Sequence, residues 1–350
     1  MKPITVIVTA SGAPGGPSII QSLRKVKERE IRIVATDVHR DAAGLYLADK
    51  YYIVPYGTDP AYPEEMLKIA SRENVDIILP LSSLELLALS RFKKRFEEKC
   101  IRVLISAPEK IAIALNKYRT YRFLEEKGFT KILPKYHLVK SIKELEDAAE
   151  NLGFPAKPFI IKPPQGKGQR GFRIIVKQKI SSVTDFLNTK PYDAYMDYHE
   201  LIRILGKEEN FPPLLVMEFL PGKEYTIDVL CKEGISYAAV PRYRKRTTLG
   251  ISTIGVTERN EELIKITRNL IRLFGFDYII NIQFKYDENG EPKLLEVNPR
   301  IAGTVCLTIE SGINLPYAAI KLALGEPVND LAVKWGTKII RYWDHVTLQE

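Results

Sequence analysis

Cysteine, histidine and tryptophan are scarce in this 350-residue chain, which has three Cys, four His and two Trp. Cys100, Cys231 and Cys306 stand far apart and form neither a CxxC pair nor an even set. That excludes a disulfide framework and fits a reducing, cytoplasmic setting. His39, His137, His199 and His345 are scattered, so neither a histidine-rich metal centre nor a Ser-His-Asp hydrolase is supported. No apolar run approaches the roughly 20 residues that cross a bilayer, and the chain enters a strand almost at once, which argues against membrane insertion and export. Internal repeats and low-complexity tracts are also missing.

What remains is an ordinary globular composition, 45% hydrophobic and 27% charged, with a formal net charge of +9. That charge favours anionic partners, among them nucleotides, phosphorylated or carboxylate substrates and nucleic acid. Basic runs such as Lys93-Lys94-Arg95 are followed at once by Glu97 and Glu98, as on a solvated helix face, so nucleic acid is not the expected partner.

Along the chain, residues 1–115 alternate short apolar runs with amphipathic stretches, which predicts an α/β domain on a parallel sheet. Its strands are expected at 4–9, 31–36, 51–54, 76–80 and 102–106, with helices at 63–72 and 83–98. From Asn116 the pattern changes to a helix over 117–127 and a strand over 158–163. The tyrosine-rich stretch 181–212 reads as an insertion or connector. Strands at 214–220, 224–231 and 235–243 follow with antiparallel spacing. A helix at 261–274 is stopped by Gly275. A hairpin over 278–286 and 293–298 then precedes a closing helix at 315–324. The expected division is 1–115, 116–213 and 214–350, the last two being α+β lobes with antiparallel sheets.

Three constellations carry chemistry. In Lys293-Leu294-Leu295-Glu296-Val297-Asn298-Pro299-Arg300, period-two alternation sends Glu296, Asn298 and Arg300 to one face, with Leu295 and Val297 toward the core. If Tyr286 pairs with Lys293, Gln283 lies opposite Glu296, and one carboxylate with two amides then suits a hard cation such as Mg²⁺. Lys162 leads into a loop with glycines at 166, 168 and 171, whose amides can turn onto phosphate; a plain hairpin turn is the alternative. Val216 to Asp228 offers a strand end for an adenine edge, with Glu224 placed for ribose hydroxyls, or simply a turn. Two weaker signals concern substrate. Arg244, in a basic strand end before Ser252, can neutralise phosphate or carboxylate. Gly12 lies in a glycine-containing loop that mimics a dinucleotide fingerprint, but its spacing is not GxGxxG and Pro14 and Pro17 crowd the turn. A substrate carboxylate or plain packing suits that helix start better.

Taken in order, Lys117, Lys162 with its glycine loop, Glu218 to Glu224, and Gln283, Glu296, Asn298 and Arg300 resemble the ATP-grasp superfamily over nearly the whole chain. The likeness extends to one half of the carbamoyl-phosphate synthase large subunit and to amino-acid ligases of the pyrrolysine pathway type. Asn281-Ile282-Gln283-Phe284 with Glu296-Val297-Asn298-Pro299-Arg300 is its most specific part. The resemblance implies a pre-ATP-grasp α/β domain followed by two ATP-grasp lobes. It further implies ATP and Mg²⁺ or Mn²⁺ as cofactors, with small carboxylate and amine substrates, and a homodimer or partner subunit. By the same resemblance, Lys117 and Lys162 bind phosphates, Gly166, Lys167 and Gly168 form the closing loop, and Glu218, Phe219 and Leu220 frame adenine. Glu224 holds ribose, Gln283, Glu296 and Asn298 bind metal, and Arg300 stabilises the phosphoryl group in transfer. The chain carries one ATP-grasp unit where carbamoyl-phosphate synthesis uses two, and the stretch 249–252 matches that enzyme loosely, so its substrate does not transfer. The implied function is a carboxylate–amine ligase working through an acyl phosphate. A bicarbonate or carbamate kinase and a catalytically silent ATP-binding regulator are the alternatives.

Overall fold

The computed structural model describes residues 1–166, 170–179, 182, 194–248, 250–329 and 331–349. The chain divides into two compact units, one of Met1–Leu115, Glu224–Gln283 and Glu296–Glu350, the other of Asn116–Lys223 and Phe284–Leu295.

The first unit begins with β1 (Ile4–Val8), β2 (Ile31–Asp37), β3 (Lys50–Ile53), β4 (Ile77–Leu79) and β5 (Arg102–Val103). They form a parallel sheet in the order β3-β2-β1-β4-β5. Val6, Ile7, Val8, Ile77 and Ile78 have no exposed surface, because helices cover both faces of the sheet; central parallel strands therefore read as unbroken apolar runs. Helices Gly16–Arg24, Tyr62–Arg72 and Leu86–Glu97 connect strands of this sheet, and Pro108–Ala114 follows β5. The third starts later than the expected residue 83. Residues 82–85 instead make a turn, with the Glu85 carboxylate accepting from the N–H groups of Leu81 and Ser82 at 3.0 and 2.7 Å.

The second unit holds helix Lys117–Glu126, β6 (Tyr136–Val139), helix Ile142–Asn151, β7 (Phe159–Lys162), β8 (Arg173–Val176), β9 (Tyr195–Asp197), helix Tyr198–Leu205 and β10 (Leu214–Glu218). Its sheet runs β6-β10-β7-β8-β9. This sheet is mixed rather than antiparallel, since β8 and β9 run parallel. The described part of the 181–212 stretch is more than a connector. It supplies β9 and a helix whose Leu201 joins the core with Phe159, Ile161 and Val216. Residues 180–181 and 183–193 lie outside the described residues.

The third sheet takes β11 (Glu224–Lys232), β12 (Ile235–Thr248), β13 (Ile251–Thr257), β14 (Tyr278–Tyr286), β15 (Pro292–Asn298) and β16 (Lys338–Ile340), in the order β15-β14-β11-β12-β13-β16. Helix Glu261–Phe274 is capped by Asn260, whose side chain accepts from the Leu263 N–H, and ends at Gly275 with φ 64°. Helices Cys306–Glu310 and Leu315–Leu324 follow. β12 runs past the expected residue 243, and β13 and β16 were not anticipated. Polar and basic residues fill the far half of β12, so its hydropathy does not mark it as a strand.

Candidate active site

On β15, Glu296 and Asn298 are half-buried while Val297 is 2% exposed, so the expected alternation holds at this end of the strand. It fails one step earlier. Leu294 is fully buried and Leu295 only partly so, which puts an apolar side chain on the same alternation face as Glu296. Asn298 Nδ2 donates to Glu296 Oε1 at 2.8 Å, a bond that turns the Asn298 carbonyl oxygen away from the carboxylate. Gln283 is half-buried on the neighbouring strand β14. Among the described residues, His, Cys, Asp and Glu side chains form no group of three or more that could hold a metal. Glu296 and Asn298 offer a carboxylate and an amide oxygen on one strand and Gln283 an amide oxygen on the next, donor types that suit a hard cation keeping water and phosphate in its shell.

Arg300 lies just past the end of β15, with its N–H bonded to the Asn298 carbonyl at 2.8 Å. Its Nε donates to Ser83 Oγ at 2.9 Å and its Nη1 to the Ile301 carbonyl at 2.7 Å. Burial holds its guanidinium below the usual value, with Glu296 and Glu85 opposing that shift. The loop after Arg300 packs against the first loop of the unit. A Cβ on Gly15 would lie 3.2 Å from the Ala302 carbonyl, and Arg341 Nη2 donates to the Pro14 carbonyl at 2.7 Å. In that same loop the Gly12 N–H is taken up by Asp37 Oδ2 at 2.9 Å.

Three further residues singled out from the sequence meet on the third sheet. Arg244 forms an ion pair with Glu224, donates from Nε to Ser252 Oγ at 3.0 Å, and donates from Nη2 to the Gly250 carbonyl at 2.6 Å. Beneath them lies a network that sequence reasoning passed over. Asp228 and Arg242, each 1% exposed, pair at 2.8 Å. Asp228 also accepts from Asn281 Nδ2 at 3.1 Å and Thr308 Oγ1 at 2.6 Å, and Arg242 donates to Thr304 Oγ1 at 2.7 Å. The available signal was a single Asp inside the apolar part of β11 and an Arg at the point where β12 turns from apolar to basic.

In the second unit, Lys162 ends β7, 9% exposed and paired in register with Leu215. The Lys117 N–H donates to the Pro164 carbonyl at 2.9 Å, which sets the start of its helix against the loop that contains Gly166. Lys167 and Gly168 lie outside the described residues. Glu218 ends β10 with Oε1 accepting from the Lys135 N–H at 2.9 Å. Phe219 lies under the Lys285 ammonium, 5.5 Å from ring centroid to nitrogen, and Leu220 is 1% exposed. Gly222 is required by close approach, since a Cβ there would lie 2.7 Å from the Tyr286 carbonyl oxygen.

Residues 210–343 match the family model described as ATP-grasp in the biosynthetic pathway with Ter operon, and residues 6–104 match the PylC-like N-terminal domain. The carbamoyl-phosphate synthase of Methanobrevibacter smithii is 26% identical over 316 residues, covering 86% of this chain and 77% of that protein. The carbamoyl phosphate synthase large chain of Clostridium perfringens is also 26% identical over 84% of this chain, but the match spans only 26% of that longer protein. Among solved structures, N5-carboxyaminoimidazole synthetase from Staphylococcus aureus, complexed with ADP, superposes with a TM-score of 0.65 at 16% identity, over 94% of this chain and 80% of that one. Biotin carboxylase from Campylobacter jejuni gives 0.66 at 16% identity, over 95% and 74%. These structures share the fold. A match to a PylC-like N-terminal domain and a match to an ATP-grasp region thus follow one another in a single chain, as the resemblance read from its motifs implies.

Proposed function

We propose that the protein is a carboxylate–amine ligase that uses ATP to form an amide through an acyl phosphate. The observation that carries this reading is the run Glu296, Asn298 and Arg300. An oxygen-donor pair is followed two residues later by a half-buried cation anchored on Ser83. In the first step a substrate carboxylate oxygen attacks the γ-phosphorus of ATP. The new O–P bond forms as the bond to the β-phosphate oxygen breaks, and ADP leaves. In the second step an amine nitrogen attacks the acyl carbon, phosphate departs and the nitrogen loses a proton.

Such transfers depend on positioning and charge neutralisation rather than on a protein nucleophile. Lys117 and Lys162 supply cationic contacts to the phosphates, with Gly166 beside them. Glu218, Phe219 and Leu220 frame the adenine, and Glu224 takes ribose hydroxyls while retaining its partner Arg244. Gln283, Glu296 and Asn298 would hold Mg²⁺, which would supply neutralisation of phosphate charge. Arg300 donates to the oxygens of the phosphoryl group as charge builds there. Arg244 and Ser252 face the carboxylate substrate. Amides of the loop containing Gly12 contribute as well, although Gly12's own N–H is occupied by Asp37.

The test is ADP release that depends on adding a carboxylate and an amine together, screened across amino acids. AMP and pyrophosphate as products would overturn the reading. The names of the curated relatives favour a second possibility, a kinase acting on bicarbonate or carbamate. Bicarbonate-dependent ATP turnover without any amino acid would select it.

A further inference from the structure

Glu85 is 2% exposed, and four groups converge on its carboxylate. Thr9 Oγ1 donates at 2.6 Å, the Leu81 and Ser82 N–H groups donate at 3.0 and 2.7 Å, and the Tyr62 hydroxyl makes a further short bond. These donors come from the end of β1, the loop after β4 and the helix Tyr62–Arg72. Gly57, on the loop after β3, closes the remaining side, where a Cβ would lie 2.7 Å from that of Glu85. A buried carboxylate satisfied by so many donors fixes the loops it joins. The loop so fixed, residues 80–85, carries Ser83, and Ser83 Oγ accepts the Nε–H of Arg300 at 2.9 Å. With Nε spent on Ser83 and Nη1 on the Ile301 carbonyl, the guanidinium plane is set by two bonds. Its Nη2 edge stands outside both.

We propose that Glu85 is a positioning residue for Arg300, acting through the turn that presents Ser83, so that the guanidinium is oriented before substrate arrives. The inference rests on the reading of Arg300 as the cation that stabilises phosphoryl transfer. Preorganised donors act at the transition state, so misplacing one lowers kcat more than it weakens substrate binding.

The experiment has two arms on the full chain. In the first, steady-state ADP release is measured on the amino-acid and amine pair that gives the fastest turnover in the screen. Ser83→Ala should lower kcat about tenfold or more, with the KM for ATP unchanged within about twofold. Glu85→Ala should do the same, and Glu85→Gln, which keeps an acceptor for the two loop amides, should restore most of the rate. In an Arg300→Lys background, Ser83→Ala should add nothing. The second arm needs no substrate. The Arg300 Nε–H resonance, identified by its loss in Arg300→Lys, should be protected from solvent exchange in the wild type and exposed in Ser83→Ala.

Equal exchange rates in wild type and Ser83→Ala would overturn the inference, as would Ser83 and Arg300 effects that simply add. If Glu85→Ala does not fold, Ser83→Ala and Glu85→Gln still decide. An Arg300→Lys variant with undiminished turnover would instead remove the reading of Arg300 itself. In that case the exchange arm still reports whether the turn holds the guanidinium.

Discussion

At Glu296 one carboxylate carries most of the proposed affinity for the cation, with Asn298 Nδ2 holding it in place at 2.8 Å. Loss of outer-shell partners alone costs about 10–100-fold at metal sites, so Glu296→Ala should cost about a hundredfold or more in Mg²⁺-dependent ADP release. Its melting temperature should stay close to that of the wild type, because the residue sits on a half-buried face. Near-normal rates would remove the metal assignment. Asp228 makes the opposite case. Truncation to Ala leaves Arg242 buried without its carboxylate, a change that costs about 3–5 kcal/mol and is measurable by urea unfolding. A loss under about 1 kcal/mol would show that the pair is dispensable. Glu85 gives a pH signature. Burial raises its carboxyl above the ordinary range, against the pull of Thr9, Tyr62 and the two amides. The protonated form therefore favours the folded state, and that contribution is complete below the unfolded carboxylate value and lost as pH rises through the raised one. The stability of Glu85→Gln relative to wild type should accordingly grow between about pH 4 and pH 7, as read by denaturant unfolding at both ends; a flat difference would contradict the shift. The sequence exposed Glu296, Asn298 and Arg300 because they interrupt an apolar strand at period two. It hid Glu85, which reads as one more polar residue on a helix, and also Asp228 and Arg242, because periodicity reports which face a residue occupies and not what it meets there.

Among the elements, those built from local apolar patterning were legible. Of the five parallel strands, β1, β2 and β4 stand where runs rich in Val and Ile placed them, and helix Glu261–Phe274 ends at the expected glycine in the left-handed region. β13 follows the basic half of β12 and pairs back on it across a short turn, while two other missed elements take their pairing from distant chain. β16 is a short edge strand that gains its partner only through β13. β9 lies more than a dozen residues beyond β8 and runs parallel to it, a pairing with no local turn signal. The second half of β12 is held by its neighbours despite a basic sequence. The turn at Pro221-Gly222 offers a test at this scale. Its Gly222 N–H donates to the Tyr286 carbonyl at 2.9 Å, and the close approach leaves no room for a side chain. Gly222→Ala should cost about 1–3 kcal/mol through overpacking, as measured by chemical denaturation. A neutral substitution would mean that the turn relaxes freely.

For the molecule as a whole, none of the described helices is long and apolar enough to cross a membrane. The chain spans about a quarter of the length of the carbamoyl phosphate synthase large chains it matches. The proposed reaction, one phosphoryl transfer followed by amide formation, passes through one intermediate. The acyl phosphate is therefore the species on which the proposed chemistry depends, and oxygen isotopes report it directly. With the carboxylate substrate labelled with ¹⁸O in both oxygens, the expected result is ADP together with inorganic phosphate carrying one ¹⁸O atom per amide formed. Unlabelled phosphate, or label recovered in AMP, would contradict it.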